Sequence, residues 1–124
     1  MNFHHVAIIV SDRLKAHHFY GDILGFKLIH EEFREQRNSY KMDFEREGMR
    51  LEIFTFPDAP KRPSYPESEG LRHLAFGVND IVELHQDLKR KGISVEDIRE
   101  DHLTAKKFFF FADPDDLPIE IMEN

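Results

Sequence analysis

Residues 5–12 read HVAIIVSD and residues 73–80 read HLAFGVND, so one stretch recurs, largely matching in residue type, 68 residues further along the chain. The recurrence extends outward from there. Residues 51–54, LEIF, are answered at the same offset by residues 119–122, IEIM, and Gly25 is answered by Gly92 at an offset of 67. Two copies of one module are expected, and a repeat fixes topology before any single element does.

Each copy has the same layout. His5 to Val10 and His73 to Val78 read as strands, followed by capping residues, Ser11 and Asp12 in one copy and Asn79 and Asp80 in the other. Helical spacing follows in Ala16, Phe19, Tyr20, Ile23 and Leu24, then in Ile81, Leu84 and Leu88, with Gly25 and Gly92 placed to end each helix. Asp80 with Glu83 forms a capping-box pattern. Extended segments are expected over residues 26–34, 38–45 and 49–56, and again over 93–98, 105–112 and 117–122. The order is βαβββ twice, an α+β fold. Residues 57–70, PDAPKRPSYPESEG, hold four of the six prolines and read as a stiff linker. Module one then covers about residues 1–56 and module two about 71–124, within a single domain spanning 1–124. Modules this small are not expected to stand alone and should pair through a larger sheet.

Bulk composition excludes several functions. The chain has 124 residues and no cysteine, which removes disulfides, thiolate ligands and a Cys nucleophile and fits a reducing cytoplasm. Its longest early apolar run, Val6 to Val10, is too short for a signal peptide or a membrane span, so a soluble cytoplasmic protein is expected. A net charge of −7 disfavours nucleic acid as a partner.

Strand alternation then sorts the side chains by face. His5, Ala7 and Ile9 share one face and Val6, Ile8 and Val10 the other, while His73, Ala75 and Gly77 oppose Leu74, Phe76 and Val78. The bulky face belongs under the helices, and the face with His and small residues belongs to an open site. Glu52 lies between Leu51 and Ile53, and Glu120 between Ile119 and Ile121, so each carboxylate neighbours core positions and calls for a counter-charge. Each Glu follows its His by 47 residues. A pseudo-twofold pairing of the modules would bring His5, Glu52, His73 and Glu120 to one divalent cation as two nitrogens and two oxygens. Zn²⁺ or Ni²⁺ are first choices, with Mn²⁺ or Fe²⁺ after them. His4, His17, His18, His30, His85 and His102 lack such support and read as surface or packing residues.

The segments HHVAIIVSD, FYGDILGF, RLEIFTF, GLRHLAFGVND and ADPDDLPIEI together resemble the vicinal oxygen chelate superfamily, the glyoxalase I-like and bleomycin resistance fold, over about His4 to Glu123. The resemblance implies paired βαβββ modules closing a cup-shaped mixed sheet around one metal ion per chain, often in a homodimer. Its metal ligands carry over onto His5, Glu52, His73 and Glu120. It also implies electrophilic chemistry, in which the metal chelates vicinal oxygens of a small-molecule substrate and a metal-bound glutamate acts as base. Glu52 and Glu120 are the catalytic candidates. Of these, Glu120 is expected to be the mobile one, because Asp116 and Pro118 should loosen the turn before its strand.

A metal-dependent lyase or isomerase of the glyoxalase type is therefore expected. The alternatives are a thiol transferase acting on an epoxide antibiotic, an epimerase of a CoA thioester, an extradiol dioxygenase or a metal-free drug-binding protein. Two positions depart from the glyoxalase pattern. Ile9 stands where an arginine usually helps hold glutathione, and Asp116 stands where a glycine is usual. Phe108 to Phe111 are expected to fill the core on one face and wall the pocket on the other, and Arg72, Lys106 and Lys107 to be surface cations or grips for an anion.

Overall fold

A computed structural model describes residues 1–124. The chain divides into two compact units, Met1–Lys61 and Arg62–Asn124, with the division inside the proline-rich linker. The elements are β1 (Val6–Val10), α1 (Arg13–Ala16) continuing as a π-helix (His17–Ile23), β2 (Lys27–Arg34), β3 (Ser39–Arg46), β4 (Met49–Thr55), β5 (Leu74–Val78), α2 (Ile81–Arg90), β6 (Arg99–Glu100), β7 (Lys107–Ala112) and β8 (Pro118–Glu123). Each unit carries a four-stranded mixed sheet, β1-β4-β3-β2 in the first and β5-β8-β7-β6 in the second. In both, the first strand runs parallel to the last and the others are antiparallel, so the repeat in sequence is a repeat in topology.

The expected faces hold. Ile8, Val10, Leu51 and Ile53 are buried, as are Met42 and Phe44 of β3 and the helix residues Ala16, Phe19 and Tyr20. Ile119, Ile121, Phe109, Phe111 and Leu88 do the same in the second unit. The four phenylalanines of β7 alternate as expected: Phe109 and Phe111 are in the core, while Phe108 and Phe110 are half-buried on the other face.

Two elements depart from expectation. The first helix is α-helical only over Arg13–Ala16, where the Asp12 side chain accepts from the Lys15 N–H at 2.9 Å. It then widens, and the Leu24 N–H reaches back to the Phe19 carbonyl at 2.9 Å. Apolar spacings of three and four do not distinguish this wider winding from an α-helix. The turn closes at Gly25, whose φ of +75° would strain any other residue and where an added Cβ would stand 3.0 Å from the Arg46 guanidinium.

The second departure is at residues 93–98, which form no strand; the ladder there is only Arg99–Glu100. Glu96 is the reason. Its backbone N–H bonds the Phe110 carbonyl at 3.1 Å, and its own Oε1 accepts the Phe110 N–H at 2.9 Å, where a neighbouring carbonyl would sit in a regular ladder. Its carbonyl accepts from His85 Nε2 at 2.8 Å, tying the segment to α2.

The linker is pinned to the second unit. Ser64 is buried and donates its hydroxyl to the Asp116 carbonyl at 2.6 Å, and Arg62 bonds the carbonyls of Leu71 and Arg72. No helix of the structure is long and apolar enough to cross a membrane.

Candidate metal centre

Each unit brings its predicted His and Glu together. In the first, His5 Nε2 lies 3.5 Å from Glu52 Oε2; in the second, His73 Nε2 lies 3.0 Å from Glu120 Oε2. The parallel pairing explains both. Ala7 is opposite Glu52 and Ala75 opposite Glu120, so the His two residues earlier emerges on the same face, over small side chains that leave it room. Within either unit, no group of three or more His, Asp or Glu side chains is placed to hold a metal ion. Each unit therefore offers two donors.

The pairs have unlike surroundings. Opposite Glu52 on β3 is Asp43, and Lys41 Nζ bridges the two carboxylates, at 2.8 and 3.1 Å from the Asp43 oxygens and 3.6 Å from Glu52 Oε1. The Asp43 hydrogen bond, opposed by burial and joined by the charges of Asp43 and Glu52, raises Lys41 above its ordinary pKa, so it stays a cation. Opposite Glu120 on β7 is Phe110, whose ring meets His73 edge-on with centroids 5.1 Å apart. Glu120 ion-pairs with His73 alone. Sequence reading missed Lys41 and Asp43; their signal, a Lys-x-Asp on the site face of a strand, has meaning only once the cross-strand register is known.

The remaining histidines and cations also find places. His4 Nδ1 is 2.7 Å from His5 Nδ1, so one ring donates to the other and His5 keeps Nε2 toward Glu52. His4 is exposed, as expected, and its ring stands edge-on to His5 with centroids 5.0 Å apart. His17 joins Arg13 on Glu31, at 3.2 and 2.7 Å, on the helix side of the first sheet. Arg72 turns to the linker, with NH2 3.6 Å from Glu67 and 3.4 Å from the Tyr65 hydroxyl.

The turn before Glu120 carries hydrogen bonds that the sequence reading did not foresee. Asp116 has a positive φ of 65°, but buried Asp113 accepts from the Asp115 and Leu117 N–H groups at 2.8 and 2.9 Å and fixes the bend. The neighbours of the two glutamates also differ.

Two repeated βαβββ units, each with a His–Glu pair on the open face of its sheet, define a two-module α+β protein with paired polar centres. A sequence model of the Glyoxalase/Bleomycin resistance protein/Dioxygenase superfamily matches residues 2–121, and the chain belongs to that superfamily. It is 50% identical to the uncharacterized protein YwkD of Bacillus subtilis (strain 168) over 123 residues, covering 98% of this chain and 96% of that one. It is 49% identical to the uncharacterized protein YaeR of Escherichia coli (strain K12) over 121 residues, 97% and 94% of the two chains. Among solved structures, the glyoxalase family protein from Enterococcus faecalis superposes with a TM-score of 0.94 at 45% identity, covering 98% of this chain and 97% of that one.

Proposed function

We propose that the protein is a divalent-metal-dependent lyase or isomerase of the glyoxalase I type, with His5, Glu52, His73 and Glu120 holding one ion per chain. The observation that carries this reading is the repeated His–Glu pair, 3.5 and 3.0 Å across, at equivalent positions of two sheets. Two imidazole nitrogens and two carboxylate oxygens fit Zn²⁺ or Ni²⁺, and Mn²⁺ or Fe²⁺ after them. One pair is too small a donor set for tight binding, so the reading requires both pairs at one ion, and a homodimer would hold two such sets. A divalent ion so held supplies Lewis acidity toward vicinal oxygens of a small substrate.

In this reading Glu120 moves the proton and Glu52 stays in place. Lys41 tethers the Glu52 carboxylate, whereas the Glu120 carboxylate is restrained by His73 alone and can swing toward a substrate carbon. Phe110 and Phe108, half-buried on the same face with ring centroids 6.2 Å apart, would form the apolar wall on that side. Ile9, 56% exposed on the site face, offers no cation to glutathione, which favours another thiol adduct or a small oxygenated substrate.

The test compares Glu120→Gln with Glu52→Gln in metal-loaded protein, using hemithioacetals of methylglyoxal with several low-molecular-weight thiols as probes. Glu120→Gln should lower turnover by about 10²- to 10⁴-fold with metal retained. Full activity in Glu120→Gln, or equal loss in both variants, contradicts the assignment of the base.

A further inference from the structure

Arg34 ends β2 on the same face of the first sheet as Glu52, and it is a cation without a counter-charge. The carboxylates of that face are engaged elsewhere: Asp43 by Lys41, Glu52 by His5 and Lys41, Glu45 by Arg50 and Glu32 by His30. Arg34 Nε is buried and has no hydrogen-bond partner. Of the five guanidinium donors, only NH2 is engaged, to the Ser39 hydroxyl at a long 3.3 Å.

Two rings hold this guanidinium in place. Phe54 and Phe56 lie nearly parallel, 11° apart in plane with centroids 6.0 Å apart, and the Arg34 Cζ is 4.9 and 5.9 Å from those centroids. Arg37 Cζ is 5.2 Å from the Phe56 centroid, so a second cation stands beside the first. Ring faces favour a cation but leave its in-plane N–H donors unused. A half-dry guanidinium with idle donors is costly as a structural element and well suited to a planar or tetrahedral oxyanion, which its fork can grip through two parallel bonds.

We propose that Arg34, seated on Phe54 and Phe56 with Arg37 beside it, binds the carboxylate or phosphate group of a small molecule whose other end reaches Glu52. Phe54 is two residues beyond Glu52 on β4, about 7 Å along the strand at the usual rise per residue. A compact molecule with an anionic group at one end and oxygens at the other spans that distance. The identity of the Glu52 end rests on the function proposed above; the anion subsite does not.

The experiment therefore uses the full chain stripped of metal. Arginine Nε–H signals of ¹⁵N-labelled protein are followed by NMR during titration with inorganic phosphate and, separately, with acetate. Saturable shifts confined to Arg34 and Arg37 are expected, unchanged in Glu52→Gln. The Arg37 response should weaken roughly tenfold in apparent affinity in Arg34→Lys, which keeps the charge and loses the fork. Should that variant fail to fold, Phe56→Leu, which removes a ring and keeps apolar bulk, should weaken the response likewise. Tighter binding of phosphate assigns a phosphate group to the substrate, and tighter binding of acetate assigns a carboxylate. No saturable shift with either anion, or an equal shift at the exposed Arg90, overturns the subsite. Absence of metal binding in the native protein would leave this result standing, so the two proposals fail separately.

Discussion

Glu52 and Glu120 occupy repeat-equivalent positions, yet Glu52 has Lys41 and Asp43 beside it while Glu120 has Phe110. In the proposed function, unlike neighbours are what would give two like acids unlike tasks. The same holds for the histidines. His5 leans on His4 through Nδ1, whereas residue 72, before His73, is an arginine turned to the linker. A partner on the far nitrogen of a ligating imidazole fixes its tautomer and orientation. His4→Ala should therefore weaken metal affinity by about tenfold or more, with little change in thermal midpoint, as measured by competition against a chromophoric chelator. Unchanged affinity would show that His4 only packs. At this scale the sequence showed the pairs themselves, because strand alternation and a shared offset are local signals. Lys41, Asp43 and His4 stayed hidden because their roles depend on cross-strand register or ring orientation, which no local pattern encodes.

Among the elements, the strands and the long helix followed from periodicity, and the irregular pieces did not. The replaced strand at 93–98 rests on distant contacts of Glu96, with Phe110 on β7 and His85 on α2, and the π-helix shares the apolar spacing of an α-helix. Asp12, whose side chain caps the first helix, gives a simple test: Asp12→Ala should cost about 1 kcal/mol in chemical denaturation. Glu31 gives a pH-dependent one. Burial pushes its carboxyl up, but hydrogen bonds from Arg13 and His17 and their charges outweigh this, so the net direction is below the ordinary 4.5. A depressed folded value means the clamp contributes fully above pH 4.5 and is lost as pH falls through the folded value. Thermal midpoints of wild type and Glu31→Gln should accordingly differ near neutral pH and converge in acid. A gap that widens with acidification would contradict the clamp. Glu96→Ala should also destabilise, by about 1–3 kcal/mol, since it strips the Phe110 N–H of its partner; Glu96→Gln, which keeps an acceptor oxygen, should lose less in the same denaturation experiment.

For the whole molecule, duplication is the organising fact. Each unit has its own sheet, its own buried core and one His–Glu pair, which the proposed function reads as half of a four-donor set. Neither half holds three candidate ligands, so binding of a metal would couple the two units, and protein loaded with metal should unfold at higher temperature than stripped protein. The proposed homodimer is checked by light scattering: a mass near twice 14.7 kDa is expected, and a chain that stays at 14.7 kDa at micromolar concentration contradicts it. The most direct test of the central claim is the metal content of protein purified without chelator, compared with His5→Ala and His73→Ala. About one divalent ion per chain should be found in the native protein, and either substitution alone should remove it, because each His belongs to a different unit and both serve one ion. Metal far below one equivalent in the native protein, or metal retained in either variant, would contradict the account.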